Sequence, residues 1–278
     1  MSRNFLLIYT GREGSSGIVN LLSQHPNVVV PLFEGLDPYN EDVSKEGFDV
    51  VRELDSIFDT GMFSGTPAKP GEIAYKSIDD VDPNQVSVGF KWRFWGNRDQ
   101  VADVLKKHNV IVFFLFRRDF LELVSSIHLT QQLNSEQGNP VANWHPQFEF
   151  RTADKTKKDE LRKKLESTTV RVAPKGFCVT MLRRSKEARR LRMFADFLNS
   201  RGVETSTLHY EEFQKDNLGF INTVLAQIDQ PPLADAHSSF QKPTQKPAHE
   251  RLTGLSLWKR TGVLPLFQSI YRSAVAKR

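Results

Sequence analysis

Residues 5–30 read "FLLIYTGREGSSGIVNLLSQHPNVVV". A short apolar run, Phe5 to Tyr9, enters a stretch with glycine at every third position, Gly11, Gly14 and Gly17. Helical apolar spacing resumes at Ile18, Val19, Leu21 and Leu22, and a second apolar run follows at 28–30. This is the pattern of a strand, a tight turn and a helix leading back to another strand. Such a turn leaves backbone N–H groups unpaired at the positive end of a helix dipole, a natural place for an anion. Gly11 and Gly14 permit positive φ and close approach of a ligand, and Ser15 and Ser16 add hydroxyl donors. Arg12 adds a fixed charge suited to a phosphate or sulfate.

Spacing excludes two common phosphate loops. Walker A requires G-x-x-x-x-G-K-[ST], whereas two residues separate Gly11 from Gly14 and no lysine precedes Ser15. The dinucleotide fingerprint requires G-x-G-x-x-G, which residues 12–17 do not supply. On this segment alone, a tight turn without a ligand stands as the competing reading.

Working outward, strands are expected over 5–10, 28–31, 86–92, 110–116 and 204–209, and helices over 15–24, 43–58, 99–108, 120–133, 157–166, 175–200 and 218–228. The strand candidates are mostly apolar without clean alternation, as in a parallel sheet covered on both faces. The expected fold is α/β: a P-loop-like three-layer sandwich with a central parallel sheet flanked by helices, in a single domain over 1–278. Residues 61–71 and 134–147 are rich in Gly, Pro and Asn and read as long loops. In the stretch "VIVFFLFRRDFLELVSSIHL" (110–129), Asp119 is a good N-cap. It sets Arg117 and Arg118 at a strand's C-terminal end, the ligand edge of an open α/β sheet.

The 278 residues are 39% hydrophobic and 26% charged, which excludes a disordered or fibrous chain. Cys178 is the one cysteine, so an intrachain disulfide and a Cys-rich zinc site are excluded, in keeping with a reducing compartment. Phe5 to Ile8 is too short for a signal sequence, and no stretch approaches the ~20 apolar residues of a membrane span. A cytoplasmic location is expected. The net charge of +5 admits an anionic partner. The basic runs at 155–164 and 183–192 contain acids and read as solvated helix faces, so nucleic acid is not expected. The seven histidines lack H-x₃-H or HExxH spacing, and no G-x-S-x-G elbow occurs, so neither a metal centre nor a Ser-His-Asp hydrolase is expected.

"GREGSS", followed by an apolar helix and "HPNVVVPLFE", resembles the 5′-phosphosulfate-binding loop of the PAPS-dependent sulfotransferases, in the R-x-G-[ST]-[ST] form of carbohydrate and bacterial members. The resemblance implies that Arg12, Gly14, Ser15 and Ser16 hold the 5′-phosphate and sulfuryl group of 3′-phosphoadenosine 5′-phosphosulfate, with Arg12 also stabilising the leaving phosphate. Arg118 and Ser126, eight residues apart, resemble the family's 3′-phosphate signature, with Arg117 and Ser125 as neighbours. Phe120-Leu121 departs from the Pro-Arg or Pro-Lys of many members. "VGFKWRFW" (88–95) is similar to the family's G-x-K-x-R strand, and "TLHYEEF" (207–213) to its late strand with "YE".

By order, Glu34 matches the catalytic glutamate of some bacterial and carbohydrate members. His128 and His145 are the alternative bases, and Lys91 and Arg93 are candidates to neutralise the donor or an acidic acceptor. The implied partners are the nucleotide donor and a hydroxyl-bearing acceptor bound by loops at 35–75 and 134–150, without a metal. The segment 249–262 is a candidate for a closing loop. Two other readings stay open: a metal-dependent nucleotide kinase or NTPase with a degenerate loop, and a non-catalytic nucleotide- or glycan-binding protein of the same fold.

Overall fold

A computed structural model describes residues 2–11, 14–32, 36, 43, 47–64, 76, 78–82, 84–94, 96–136, 156, 159–160, 163, 166–237, 250, 252–254, 258 and 262–276, with backbone alone at 80 and 133–136. In chain order the elements are β1 (Asn4–Ile8), α1 (Ser15–Leu22), β2 (Val28–Val29), α2 (Val50–Thr60), a 3₁₀ turn (Ile78–Asp80), β3 (Ser87–Trp92), α3 (Arg98–Lys107), β4 (Val110–Phe116), α4 (Phe120–Glu136), β5 (Val170–Arg171), α5 (Pro174–Ser200), β6 (Thr205–His209), α6 (Tyr210–Lys215), α7 (Asn217–Gln227), β7 (Leu252–Thr253) and α8 (Val263–Val275). They form two compact units, residues 1–116 with 190–238, and residues 117–189 with 239–278.

The first unit is built on a five-stranded sheet in the order β2-β3-β1-β4-β6, parallel throughout. Every residue of β3 and β4 is buried, as expected of strands covered on both sides. Successive residues of a strand face opposite ways, so Phe90 and Lys91 mark the two faces. Phe90 lies 5.7 Å from the Phe58 ring of α2, and Phe58 lies 5.7 Å from His108 at the end of α3. Lys91 reaches Ser16 of α1 on the other face. Leu6, in register with Phe90 and Val112, continues the first face across β1 and β4. Phe114 is also on that face, its ring 6.1 Å from Phe194 of α5. Helix α1 packs with α7. A central parallel sheet with helices on both faces is the α/β architecture read from the apolar runs.

The second unit contains α4, residues 174–189 of α5, a parallel pair of β5 with β7 and α8. Its core is aromatic: Phe120 lies 5.3 Å from Phe177 and 4.8 Å from Tyr271, and Phe177 lies 5.7 Å from Trp258.

Several boundaries differ from expectation. β4 matches residue for residue, whereas the strand expected over 28–31 pairs only through Val28–Val29. The helix expected over 43–58 begins at Val50, because the Asp49 carboxylate accepts from the Val51 and Arg52 N–H groups and fixes the N-cap there. β5, β7, α6 and α8 had no sequence expectation. Helix α4 runs on to Glu136, into the loop expected over 134–147; the rest of that loop and most of 157–166 lie outside the described residues. No helix among the described residues is long and apolar enough to cross a membrane.

Candidate functional site

In a parallel sheet every strand delivers its C-terminal end to the same edge. At that edge of the first unit, β1 ends at Ile8 and the chain turns through Gly11, with φ +102°, to Gly14, the N-cap of α1, with φ +78°. Gly14 has no side chain with which to cap this helix start. The Gly17 N–H turns back to the Gly14 carbonyl at 3.1 Å. Ser15 is buried and Ser16 half-buried in the first helical turn.

Two cations stand over this turn. Lys91 follows from the register of β3 against β1, where it pairs with Leu7 near the end of both strands. It is 1% exposed, and its ammonium donates to the Ser16 hydroxyl at 2.7 Å. Two residues on, the Arg93 guanidinium lies against Gly11, 3.8 Å from where a Cβ would stand. The Tyr9 ring supports both, 5.3 Å from Lys91 and 5.5 Å from Arg93. An ammonium and a guanidinium beside the positive end of a helix dipole make a region where negative charge is favoured.

Tyr210, the first residue after β6, closes the other side of the loop. Its ring packs so tightly on Gly14 that an added Cβ would lie 1.9 Å from a ring carbon. Gly14 is therefore required twice, by its positive φ and by this contact.

Arg12, Glu34 and His145 lie outside the described residues. Gly14, Ser15 and Ser16 gather at the helix start. Arg118 and Ser126 belong to the second unit, at the start of α4 and two turns into it. Asp119 caps α4 as expected, accepting from the Glu122 N–H at 3.0 Å. Arg118 is exposed there, while Arg117 is buried and 3.4 Å from Glu122. Ser126 is half-buried and its carbonyl accepts from the Thr130 hydroxyl at 3.0 Å. Ser125 is fully buried, its hydroxyl without a hydrogen-bond partner among the described residues. Burial holds the His128 pKa below the usual histidine value, and its Nε2 lies 3.3 Å from the Thr180 hydroxyl.

Tyr210 was not among the site residues read from sequence. Its signal was the "HYEE" segment, which carries no mark of contact with a glycine at the other end of the chain. Elsewhere, Asp55, Asp59 and His108 bring together groups of metal-ligating type. The Lys107 ammonium already sits among them, 2.7 Å from Asp55 and 3.6 Å from Asp59. His108 Nε2 also lies within hydrogen-bond distance of Asp55, at 2.7 Å, so the carboxylates here are already engaged by the lysine ion pairs and this hydrogen bond.

No family model matches the chain, and no curated protein matches its sequence. Among solved structures it is similar to a sulfotransferase from Alicyclobacillus acidocaldarius (TM-score 0.49, 13% identity, covering 100% of this chain and 97% of that one). It is also similar to the sulfotransferase domain from the curacin biosynthetic pathway (TM-score 0.42, 13% identity, 91% and 81% covered). A third likeness is to a mouse sulfotransferase complexed with PAP (TM-score 0.39, 8% identity, 98% and 88% covered). Likenesses of this depth leave function to be argued from the chain's own residues. Those residues form an α/β fold whose central strand ends at a glycine-opened helix start faced by Lys91 and Arg93.

Proposed function

We propose that the protein is a sulfotransferase that moves a sulfuryl group from 3′-phosphoadenosine 5′-phosphosulfate to a hydroxyl or amine of a glycan, lipid or small-molecule acceptor. The observation that carries this reading is the buried Lys91 ammonium, 2.7 Å from Ser16 in the loop of phosphosulfate-binding pattern. In sulfuryl transfer the acceptor oxygen or nitrogen bonds to sulfur as the bond from sulfur to the bridging oxygen breaks. Charge grows on the departing 5′-phosphate. Preorganised cations and N–H donors stabilise that charge without rearranging, each worth roughly 3 kcal/mol if it acts like an oxyanion-hole donor.

In this reading Arg12, Gly14, Ser15, Ser16 and Lys91 receive the 5′-phosphosulfate, and the eight-residue spacing of Arg118 and Ser126 supports their role at the 3′-phosphate. Glu34 takes the acceptor's proton, with His128 or His145 as the alternative base. Burial keeps the His128 imidazole neutral near pH 7, the form able to accept a proton. The transferred group carries little charge, so the chemistry asks for no metal, and residues 1–278 act as one sulfotransferase-like domain.

Calorimetry with adenosine 3′,5′-bisphosphate in the presence of a chelator tests this. Wild-type protein should bind, and Lys91→Met should weaken binding by about 1.5–3 kcal/mol, the range for a hydrogen bond to a charged group. Glu34→Gln should keep that affinity and lose transfer of radiolabelled sulfate. Magnesium-dependent ATP binding with none for the bisphosphate would sink the proposal in favour of a kinase or NTPase. Tight bisphosphate binding without transfer to any of a broad acceptor library would make the protein a silent binder.

A further inference from the structure

We propose that the second unit docks, through the outer face of α5, on a bilayer surface carrying anionic lipid headgroups. Within α5, Lys175, Val179, Leu182, Lys186 and Arg189 are all exposed and follow one another at three- and four-residue spacing, which puts them on one face. Val179 is 56% exposed and Leu182 63%. They are not surplus core, because Phe177, Met181, Ser185 and Ala188 form a separate buried stripe on the same helix.

Among the described residues, Lys175, Lys186 and Arg189 have no hydrogen bond or ion pair with another side chain. The nearby acid Glu187 is engaged by Arg183 at 3.0 Å and Arg184 at 2.8 Å. Helix α8 of the same unit meets α5 through Phe267 and Phe177, ring centroids 5.9 Å apart. It exposes a second aliphatic pair, Leu266 and Ile270, and the cation Arg272.

The order of cation and aliphatic along α5 selects the partner. A convex helix face on which cations flank an aliphatic pair, Lys175 before Val179 and Leu182 and Lys186 with Arg189 after them, does not enclose a peptide; it suits a layered partner, with phosphates outside and acyl chains beneath. Lysine and arginine stems are long enough to keep their charges at the phosphate level while Val179 and Leu182 enter the acyl boundary. Three cations without an acidic partner among the described residues complement an anionic leaflet, each worth about a fivefold change in partition near the surface. This docking does not depend on sulfuryl transfer.

The test is sedimentation of the full-length protein with sucrose-loaded vesicles of phosphatidylcholine, with and without phosphatidylserine. Binding is expected only with phosphatidylserine. Lys186→Ala with Arg189→Ala should lower the partition coefficient roughly 25-fold, from two charges at about fivefold each. Leu182→Ser should lower it at least about fivefold through lost apolar burial. All three positions are exposed, so the thermal midpoint should stay unchanged and a loss of binding cannot be assigned to unfolding. Failure of wild-type protein to sediment with phosphatidylserine vesicles would overturn the proposal, as would binding that survives the double alanine variant. Binding indifferent to Leu182→Ser would also overturn it, leaving a charge stripe that any acidic polypeptide could satisfy.

Discussion

Two demands that are usually met separately fall together at position 14. The backbone there has φ +78°, which an L side chain adopts only at a cost, and the Tyr210 ring fills the space a Cβ would take. Gly14→Ala should therefore destabilise the fold by about 2–5 kcal/mol, combining the left-handed backbone cost with overpacking. Adding Tyr210→Ala should relieve the overlap and leave the backbone part. Urea unfolding of the single and double variants separates the two, and an unchanged midpoint for Gly14→Ala would mean the ring does not pack there. The sequence made Gly14 legible as part of a glycine-rich turn between a strand and a helix, because strand, glycines, serines and helix are neighbours in the chain. Its contact with Tyr210 was not legible, since nothing local links two residues so far apart. Lys91 fell between these cases: a G-x-K-x-R strand marked it as a candidate, but its pairing with Ser16 follows from how β3 registers against β1.

Helix ends show the same division at the scale of an element. Asp49 starts α2, and Asn97 starts α3 by accepting from the Asp99 and Gln100 N–H groups. Asp49→Ala should lower stability by about 1 kcal/mol, the usual worth of a side-chain N-cap. The shift in urea midpoint measures it, and no shift would mean that α2 can start elsewhere without loss. Helical periodicity placed the start of α2 too early at 43, because apolar spacing continues upstream of the residue that caps the helix. The far end of α1 is held by a residue that no sequence window would pair with it. The Lys76 ammonium donates to the Ser23 carbonyl at 2.9 Å and to the His25 carbonyl, placing a cation at the negative end of the helix dipole. Burial holds the Lys76 pKa below the usual lysine value.

Across the whole molecule, buried histidines tie stability to pH. His25 is 1% exposed and its Nδ1 accepts from the Asn27 N–H at 3.2 Å. Its pKa lies below the usual 6.5, chiefly through burial, with the Lys76 charge adding to the lowering and a hydrogen bond to the Pro231 backbone opposing it. Burial lowers the His128 pKa too. Below about 6.5 the unfolded chain takes up protons that the folded chain still refuses, so the unfolded state binds more protons and stability rises with pH through that window. Urea midpoints should be level above about pH 7 and fall toward pH 5, with His25→Asn reducing the slope. An unaltered slope in that variant would acquit His25. In strongly acid solution Asp55 should add a further loss, because hydrogen bonds from Lys107 and His108 hold its pKa below 3.8. That contribution disappears as pH falls through the lowered value.

The amino-acid sequence by itself determined the alternation of apolar strands with helices, the parallel covered sheet and the glycine-rich turn at the carboxyl end of its first strand. Each of these is written in the periodicity and composition of adjacent residues. Only the tertiary structure decided that Lys91, Arg93 and Tyr210 close around that turn, and that two-residue strands at 170–171 and 252–253 pair. The reason is physical: two residues carry no periodicity, and contacts between distant parts of a chain are set by strand register and packing, which leave no local pattern to read.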